Sequence, residues 1–254
     1  MLGTLEDDST TGSPRELIDL PGPQSLVVVD WSGDTVQGRK RVRNEDSWRQ
    51  LGPIFVVSDG MGGLSGGAEA SAIASHVVAK EWLAGELNEA QSAVLKANAL
   101  VRADFTGDEV RGCTLTGLRV AHDQATVVHV GDSRAYRIRN GVVELLTRDH
   151  NLRSELMAAG VVPGKTRSFG PLRALTSYLG RPDDQLQVDI RSISLRPGDR
   201  LVLCTDGVLD DLSPSEFASR ASGGSSADAV RRLTTTRGAD DATAIVIDIG
   251  VQGD

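Results

Sequence analysis

Three aspartates follow apolar stretches of the chain that have the length of a β-strand. Asp59, Asp132 and Asp206 each come within two residues of the end of such a stretch. A single aspartate in this position is most often part of a turn. Three strand ends that bring carboxylates to one place would instead form a site for a hard cation, which prefers oxygen ligands.

Two further acidic pairs, Glu45-Asp46 and Asp240-Asp241, extend this set, and Asp210 and Asp211 lie close to Asp206. The chain has only four histidines and two cysteines, without HExxH or CxxC spacing, which argues against a zinc hydrolase. An all-oxygen site indicates Mg²⁺ or Mn²⁺. Two such ions about 3.5–4 Å apart can hold a hydroxide that attacks phosphorus.

A phosphate-binding arginine is expected beside such a site, because the planar guanidinium matches two phosphate oxygens. Arg41 lies just before Glu45-Asp46 in the chain and is the first candidate, and Arg43 is the competitor. These residues also suit a solvated loop with internal ion pairs, so the assignment depends on the carboxylates elsewhere in the chain.

A serine hydrolase is the alternative reading of the glycine-rich stretch after Asp59. Residues 63–67 match the pattern GxSxG with Ser65 as nucleophile, and His150 lies downstream in the order that such enzymes use. Against this reading, the nucleophile should stand directly at the strand end, where Asp59 stands instead. The same glycines do not satisfy GxGxxG and no Walker lysine follows, which argues against a nucleotide-binding loop.

Composition excludes several classes of partner. The chain of 254 residues has a net charge of -8 and no run of basic residues, so we expect binding neither to nucleic acid nor to membranes. Cys113 and Cys204 lie in apolar stretches, as is typical of reduced core thiols. No apolar run of membrane-spanning length and no signal peptide is evident. We therefore predict a soluble, cytoplasmic protein.

The pattern of elements predicts one domain of β-rich layers flanked by helices. Residues 1–24 are acidic and poor in apolar side chains, and we predict a mobile tail there, followed by a single domain over 25–254. Tight turns between short strands imply antiparallel pairing. The predicted helices cover 67–83, 88–105, 151–159, 214–221 and 226–237, the strands include 26–31, 114–120, 125–130, 135–138, 142–146, 186–193, 200–205 and 243–249, and an irregular surface flap covers 160–184.

Six segments in order resemble the motifs of the metal-dependent protein phosphatases of type 2C, in their bacterial branch. The resemblance covers about 25–249. The segments are Arg-Val-Arg-Asn-Glu-Asp at 41–46, Asp-Gly-Met-Gly-Gly at 59–63, residues 131–136 with 146–150, Leu-Thr-Ser-Tyr-Leu-Gly at 175–180, residues 198–210, and Gly-Ala-Asp-Asp-Ala-Thr at 238–243.

This resemblance implies the fold and the reaction. It implies an α+β fold, a four-layer α-β-β-α sandwich in which two antiparallel sheets are flanked by helices. It also implies hydrolysis of phosphoserine and phosphothreonine by a hydroxide that bridges two Mn²⁺ or Mg²⁺ ions, without a phosphoenzyme. A catalytically weak pseudophosphatase that binds phosphoproteins is the non-enzymatic alternative.

The resemblance also implies the metal ligands. Asp59 would bridge the two ions, the Gly60 carbonyl would bind the first, and Asp206 and Asp240 would hold the second. Asp132 would share a third, weaker ion with Asp206.

Three further residues carry implied roles around the metals. Glu45 and Asp46 would contact the ions through bound water, and Arg41 would bind the substrate phosphate. Met61 stands where animal members have a histidine that protonates the leaving alkoxide, so a metal-bound water would be the acid here. The usual Asp-Asn of the last motif is Asp240-Asp241, which leaves open which aspartate is the ligand.

The expected partners are phosphorylated proteins, by analogy a serine/threonine kinase and its targets. The flap at 160–184 is where we expect substrate choice to reside. No heptad pattern or repeat indicates an oligomer, and we expect a monomer.

Overall fold

A computed structural model describes residues 26–62, 66–84, 89–103, 111–161, 170–210, 212–235 and 238–251. The predicted tail at 1–24, the candidate nucleophile Ser65, Asp211 and part of the predicted flap lie outside these residues.

One antiparallel sheet contains five strands in the order β1-β11-β10-β7-β8. Their bounds are β1 Leu26–Val36, β7 Arg134–Arg139, β8 Val142–Leu145, β10 Arg200–Cys204 and β11 Ala242–Val251. The first and last described strands pair along their whole length, from Leu26 with Val251 to Val36 with Ala242.

The second sheet has the order β2-β3-β5-β6-β9, and a two-residue strand, β4, pairs with the end of β3. Its strands are β2 Asp46–Leu51, β3 Ile54–Met61, β4 Gly112–Cys113, β5 Leu115–Ala121, β6 Gln124–Val130 and β9 Asp189–Ser194. All of its pairings are antiparallel.

Helices cover the outer face of each sheet. Against the second sheet lie α1 Gly66–Ala84 and α2 Ala90–Ala103, and against the first lie α4 Asp206–Leu209, α5 Pro214–Ala221 and α6 Ser226–Thr234. A further helix, α3 Leu152–Ala158, begins after Asn151, whose side chain accepts a hydrogen bond from the Ser154 N–H. Among the residues that the structure describes, no helix combines the length and apolarity needed to span a bilayer.

Three hydrophobic cores separate these layers. The central core lies between the sheets, where the Trp31 and Phe55 rings meet edge to face with centroids 5.6 Å apart. Small buried residues such as Ala70 and Ala74 let α1 approach its sheet closely, and Trp82 near the end of that helix is fully buried. The predicted four-layer α-β-β-α sandwich is therefore confirmed.

The strands that carry Asp46 and Asp59 differ from the sequence prediction. Residues 46–51 form β2, an edge strand that pairs with β3 and that the sequence did not indicate. Asp59 does not end its strand, because β3 continues through Gly60 and Met61 by pairing with β4. The loop at 37–45 thus joins β1 to β2 and delivers the first acidic pair directly to a strand.

Candidate metal centre

The acidic residues meet at one edge of the sandwich, where the end of β3 in one sheet faces the end of β10 in the other. Asp46 and Asp59 are direct partners across the β2–β3 ladder of one sheet. Asp206 begins α4 immediately after β10 of the other sheet, and its side chain lies within hydrogen-bonding reach of Asp59. Asp132, just after β6, lies close enough to Asp206 for the Asp206 carboxylate to raise the pKa of Asp132. The structure therefore brings together residues from all three predicted strand ends.

Threonines of one sheet hold Asp46 of the other. The Thr205 and Thr243 hydroxyls donate to Asp46 Oδ2 at 2.8 and 2.6 Å. Asn44 Oδ1 accepts from the Asp46 N–H at 3.0 Å, which fixes the backbone as it enters β2. Sequence reasoning gave these residues no role, although Thr205 directly precedes Asp206 and Thr243 lies in the last motif.

Asp59 is fixed through its backbone by Thr114. The Asp59 N–H donates to Thr114 Oγ1 and the Thr114 N–H donates to the Asp59 carbonyl, both at 2.9 Å. The Ser133 hydroxyl, next to Asp132, lies 2.7 Å from Thr114 Oγ1. These hydrogen bonds hold the backbone of Asp59 in place relative to Asp132 and do not involve the Asp59 carboxylate.

Gly60 allows three segments to approach each other. A Cβ atom at Gly60 would lie 2.2 Å from the Gly67 carbonyl oxygen and 2.5 Å from that of Glu45. The Gly60 N–H donates to the Glu45 carbonyl, which also accepts from the Ser71 hydroxyl of α1. Only glycine fits here, because any side chain would push the first acidic pair and α1 away from β3.

Three buried carboxylate oxygens have no hydrogen-bond partner within the described part of the chain: Glu45 Oε1, Asp46 Oδ1 and Asp206 Oδ1. A buried polar atom without a partner is costly, and a cation removes that cost for a carboxylate. Among the described residues, no group of three acidic, histidine or cysteine side chains is arranged to hold a metal ion by itself. The donor set therefore fits a hard divalent cation whose coordination is completed by water and backbone carbonyl groups.

Burial raises the pKa of the clustered carboxylates. It raises the pKa of Asp46 and of Asp132 to about 7, and neighbouring carboxylates add to the effect. The pKa of Asp59 lies well above its usual range through burial first, then through Asp46, Asp206 and Asp132. Burial and Asp210 raise the pKa of Asp206. Ionisation of this cluster at neutral pH calls for a compensating positive charge, which divalent cations would supply.

Arg41 lies at the open side of the cluster. Its Nε and Nη2 atoms donate to Asp240 Oδ1 at 2.6 and 2.5 Å, and its Nη1 lies 3.2 Å from Glu45 Oε2. The side chain remains about a third exposed, at 34%. The competitor Arg43 is exposed and contacts none of these carboxylates among the described residues. Arg41 is thus the arginine that the structure places beside the acidic cluster.

The two aspartates of the last motif differ in their partners. Both oxygens of Asp241 accept backbone hydrogen bonds at 2.8 Å, one from Gly38 and one from Glu45, and the residue is only 2% exposed. In Asp240, Oδ1 accepts from Arg41 and from the Asp241 N–H. Asp240 is therefore the aspartate that remains available to a cation, and Asp241 fastens both ends of the 38–45 loop.

His150, which a serine hydrolase would need as its base, is buried. Its Nδ1 accepts from the Gly131 N–H at 3.2 Å, and its Nε2 lies 3.1 Å from Asp189 Oδ2. Its ring lies against that of His129, with centroids 4.7 Å apart. These contacts are those of a packing histidine that supports the turn before Asp132.

Two ion pairs at the edge of the cluster were not predicted. Arg134 makes a bidentate pair with Asp149 at 2.7 and 2.6 Å. Arg173, in a short 3₁₀ helix at Gly170–Arg173, pairs with Asp210 at 2.7 Å and connects the middle of the predicted flap to the C-terminal end of α4. A sequence pattern could not reveal them, because the partners lie 15 and 37 residues apart.

Comparisons with known proteins identify the family of this chain. The family model of protein phosphatase 2C matches residues 37–241, a span that includes every candidate ligand. The serine/threonine phosphatase stp of Listeria innocua is 29% identical over 202 residues, which cover 72% of this chain and 79% of that protein.

Solved structures share the fold. The PPM Ser-Thr phosphatase MsPP of Mycobacterium smegmatis, in complex with cacodylate, superposes with a TM-score of 0.80 and 32% identity over 88% of this chain and 99% of that chain. The catalytic domain of the phosphatase PstP, in complex with two manganese ions, gives a TM-score of 0.77 and 26% identity over 89% of this chain and 99% of that chain. This chain spans 45% of the length of full PstP from Mycobacterium tuberculosis. The chain belongs to the protein phosphatase 2C family.

Proposed function

We propose that this protein is a metal-dependent protein serine/threonine phosphatase that hydrolyses phosphoserine and phosphothreonine esters. One observation carries the proposal. Carboxylates from both sheets meet around buried oxygens that lack partners, beside a partly exposed arginine. The two manganese ions in the PstP catalytic domain, and the names of the related phosphatases, support it.

The proposed ligands are Asp59 and the Gly60 carbonyl for a first ion, and Asp59, Asp206 and Asp240 for a second. Asp132 is proposed to share a weaker third ion with Asp206. When bound, Mn²⁺ or Mg²⁺ ions would neutralise the phosphate charge and activate a water molecule for in-line attack. The chain's own contribution is to hold six carboxylates together that would otherwise repel one another.

Arg41 is proposed to bind the substrate phosphate. A guanidinium has five N–H donors, and three of its nitrogen atoms already face Asp240 and Glu45. These carboxylates orient the guanidinium plane, while its exposed edge can donate to phosphate oxygens. Glu45 and Asp46 are proposed to position water molecules, since each has a buried oxygen free to accept a hydrogen bond.

Phosphorylated proteins are the proposed partners, with a serine/threonine kinase and its targets among them. The support is that relatives from three bacterial groups are named as serine/threonine or protein phosphatases. A cytoplasmic location and a monomeric state remain predictions from the sequence. The buried, unpaired Cys113 and Cys204 are in keeping with a reducing compartment.

The decisive experiment measures hydrolysis of a phosphothreonine peptide with Mn²⁺, with Mg²⁺ and with excess chelator. Asp206→Asn removes a proposed ligand, and Asp123→Asn, in the exposed turn between β5 and β6, makes the same chemical change away from the cluster. We expect turnover that needs added metal, is lost in Asp206→Asn and is retained in Asp123→Asn.

Two other results would overturn the proposal. Turnover that survives both chelator and Asp206→Asn would contradict the metal assignment and return Ser65 to consideration. Absence of turnover with every metal, in protein shown to be folded by circular dichroism, would favour the pseudophosphatase.

A further inference from the structure

Three basic residues project from the loop that carries Arg41. Arg39, Lys40 and Arg43 are all exposed, and Val42 between them is 100% exposed, so the crest of this loop faces solvent. Within the described part of the chain, none of the three basic side chains forms an ion pair or a side-chain hydrogen bond. The loop therefore carries local positive charge in a protein with a net charge of -8. We call these three residues the cationic rim.

The backbone of the cationic rim is held in a fixed place. The Arg39 and Lys40 N–H groups donate to the Gly238 and Ala239 carbonyls at 3.3 and 3.2 Å. The Gly38 N–H donates to the buried Asp241 carboxylate, and Gln37 Nε2 donates to the Arg41 carbonyl. The basic side chains therefore extend from an anchored backbone next to the segment that leads into Asp240.

Several other exposed basic residues have acidic partners. Lys96 on α2 pairs with Glu81 at 2.7 Å, and Arg102 lies 3.5 Å from Asp183. Arg231 on α6 pairs with Asp228. Their charges are offset locally. Lys80 and Arg196 are exposed and also lack an ion pair in the described part of the chain, but each lies singly, whereas the cationic rim places three such charges within the five residues 39–43.

A rim of cations has a clear electrostatic use beside this particular site. A protein with a net charge of -8 disfavours the approach of an acidic peptide, and exposed charges act over about 8 Å at physiological ionic strength. Positive charges beside Arg41 attract anionic groups next to the phosphoresidue and offset this penalty locally. A peptide with neutral neighbours gains nothing from them.

We propose that Arg39, Lys40 and Arg43 select phosphopeptides with anionic groups, either carboxylates or further phosphoryl groups, close to the phosphoresidue. This inference rests on the proposed function, because it assumes that the phosphate is bound beside Arg41. It names the class of substrate that the site would prefer.

The test compares three phosphothreonine peptides with the same length: one flanked by Asp and Glu, one by Asn and Gln, and one with a second phosphoserine. The variant Arg39→Ala/Lys40→Ala removes two charges from the cationic rim and keeps the backbone hydrogen bonds. The control Lys96→Ala/Arg231→Ala removes one lysine and one arginine from the outer helices, so its net charge is the same.

For the wild-type protein we expect kcat/KM to be about fivefold higher for the acidic peptide than for the neutral one, as two exposed ion pairs would give. The ratio should fall to below about twofold in Arg39→Ala/Lys40→Ala, which keeps only Arg43 of the cationic rim. It should stay near fivefold in the control and decrease as salt is raised. The peptide with the second phosphoserine shows whether carboxylate or phosphoryl neighbours are preferred.

The cationic rim and the proposed function can fail separately. Hydrolysis of p-nitrophenyl phosphate by the wild-type protein tests the function without any flanking group. Fluorescence anisotropy of the same peptides measures binding whether or not they are turned over. Two results would overturn the selection of anionic neighbours, if seen in both kcat/KM and binding. One is an acidic-to-neutral peptide ratio near one in the wild-type protein, and the other is an equal fall of that ratio in the Arg39→Ala/Lys40→Ala variant and in the control.

Discussion

Two buried carboxylate regions of this protein are built in opposite ways. Asp199, which is 1% exposed, accepts from Arg139 through both oxygens at 2.6 Å and from the Arg196 N–H at 2.8 Å. In the acidic cluster, by contrast, Asp46 and Asp206 each keep a buried oxygen without a partner among the described residues. The first arrangement stabilises the fold, whereas the second leaves oxygens that only a cation, a proton or water can satisfy.

The sharpest test of this contrast is Asp59→Asn. We expect phosphatase activity to fall at least about a hundredfold, since a metal ligand should cost no less than the groups that support one. The metal-free protein should melt at a higher temperature, because one buried, mutually repelling carboxylate is gone. Calorimetric Mn²⁺ titration and thermal unfolding with chelator measure both effects. A variant that binds Mn²⁺ as the wild-type protein does would remove Asp59 from the centre.

Asp199→Asn should have the reverse outcome. It leaves the Arg139 guanidinium without its charged partner, and we expect a loss of about 2 kcal/mol, below the range for a fully buried pair because Arg139 remains partly exposed. Mn²⁺ affinity should not change. Urea unfolding gives the free energy, and weakened Mn²⁺ binding would show that the two regions are not independent.

The pH dependence of stability should report on the acidic cluster. Asp46 and Asp132 have folded-state pKa values of about 7, above the unfolded value, so the folded metal-free protein binds more protons than the unfolded chain. Their contribution is present at low pH and is lost as pH rises through about 7.

We therefore expect the metal-free protein to lose roughly 2–3 kcal/mol of stability between pH 6 and pH 8, about 1.4 kcal/mol for each carboxyl group. Saturating Mn²⁺ should abolish this loss, because bound cations keep the carboxylates ionised. Urea unfolding at both pH values, with Mn²⁺ and with chelator, is the measurement. Equal stability of the metal-free protein at the two pH values would contradict the raised pKa values.

Asp241→Asn should have the smallest effect. Asp241 lies in the motif but resembles Asp199, because both oxygens are already satisfied by backbone N–H groups. An amide would turn an NH₂ donor toward one of these N–H groups, and we expect a loss of about 1 kcal/mol with Mn²⁺ affinity retained. Thermal unfolding and Mn²⁺ titration of the variant measure the two effects. A large change in Mn²⁺ affinity would show that Asp241 is a ligand.

The layers of the fold could be predicted from the sequence, and so could the gathering of the acidic residues at one site. The layers follow from apolar strand runs and small-residue helices, and the resemblance supplies their stacking. Strand β2 was missed because Asp46–Leu51 is a half-buried edge strand with mostly polar residues. Helix α4 was missed because four residues give no helical periodicity.

The supports of the centre were harder to predict than its acidic residues. Thr205 and Thr243 sit in strands or next to them, where a threonine that faces Asp46 looks the same in sequence as one that faces the core. The ambiguity between Asp240 and Asp241 depended on which carboxylate meets backbone N–H groups, and only the fold of the 38–45 loop determines that. The ligand roles themselves remain predictions.

The hydrogen bonds from Thr205 and Thr243 to Asp46 have a consequence for folding during synthesis. They join one sheet to the other, and Thr243 belongs to β11, the last described strand to leave the ribosome. A nascent chain with one sheet formed would have aspartates but no centre, and so no hydrolytic activity. Catalytic competence would thus require that β11 has been made and has joined its sheet, and activity would report that the sandwich is assembled.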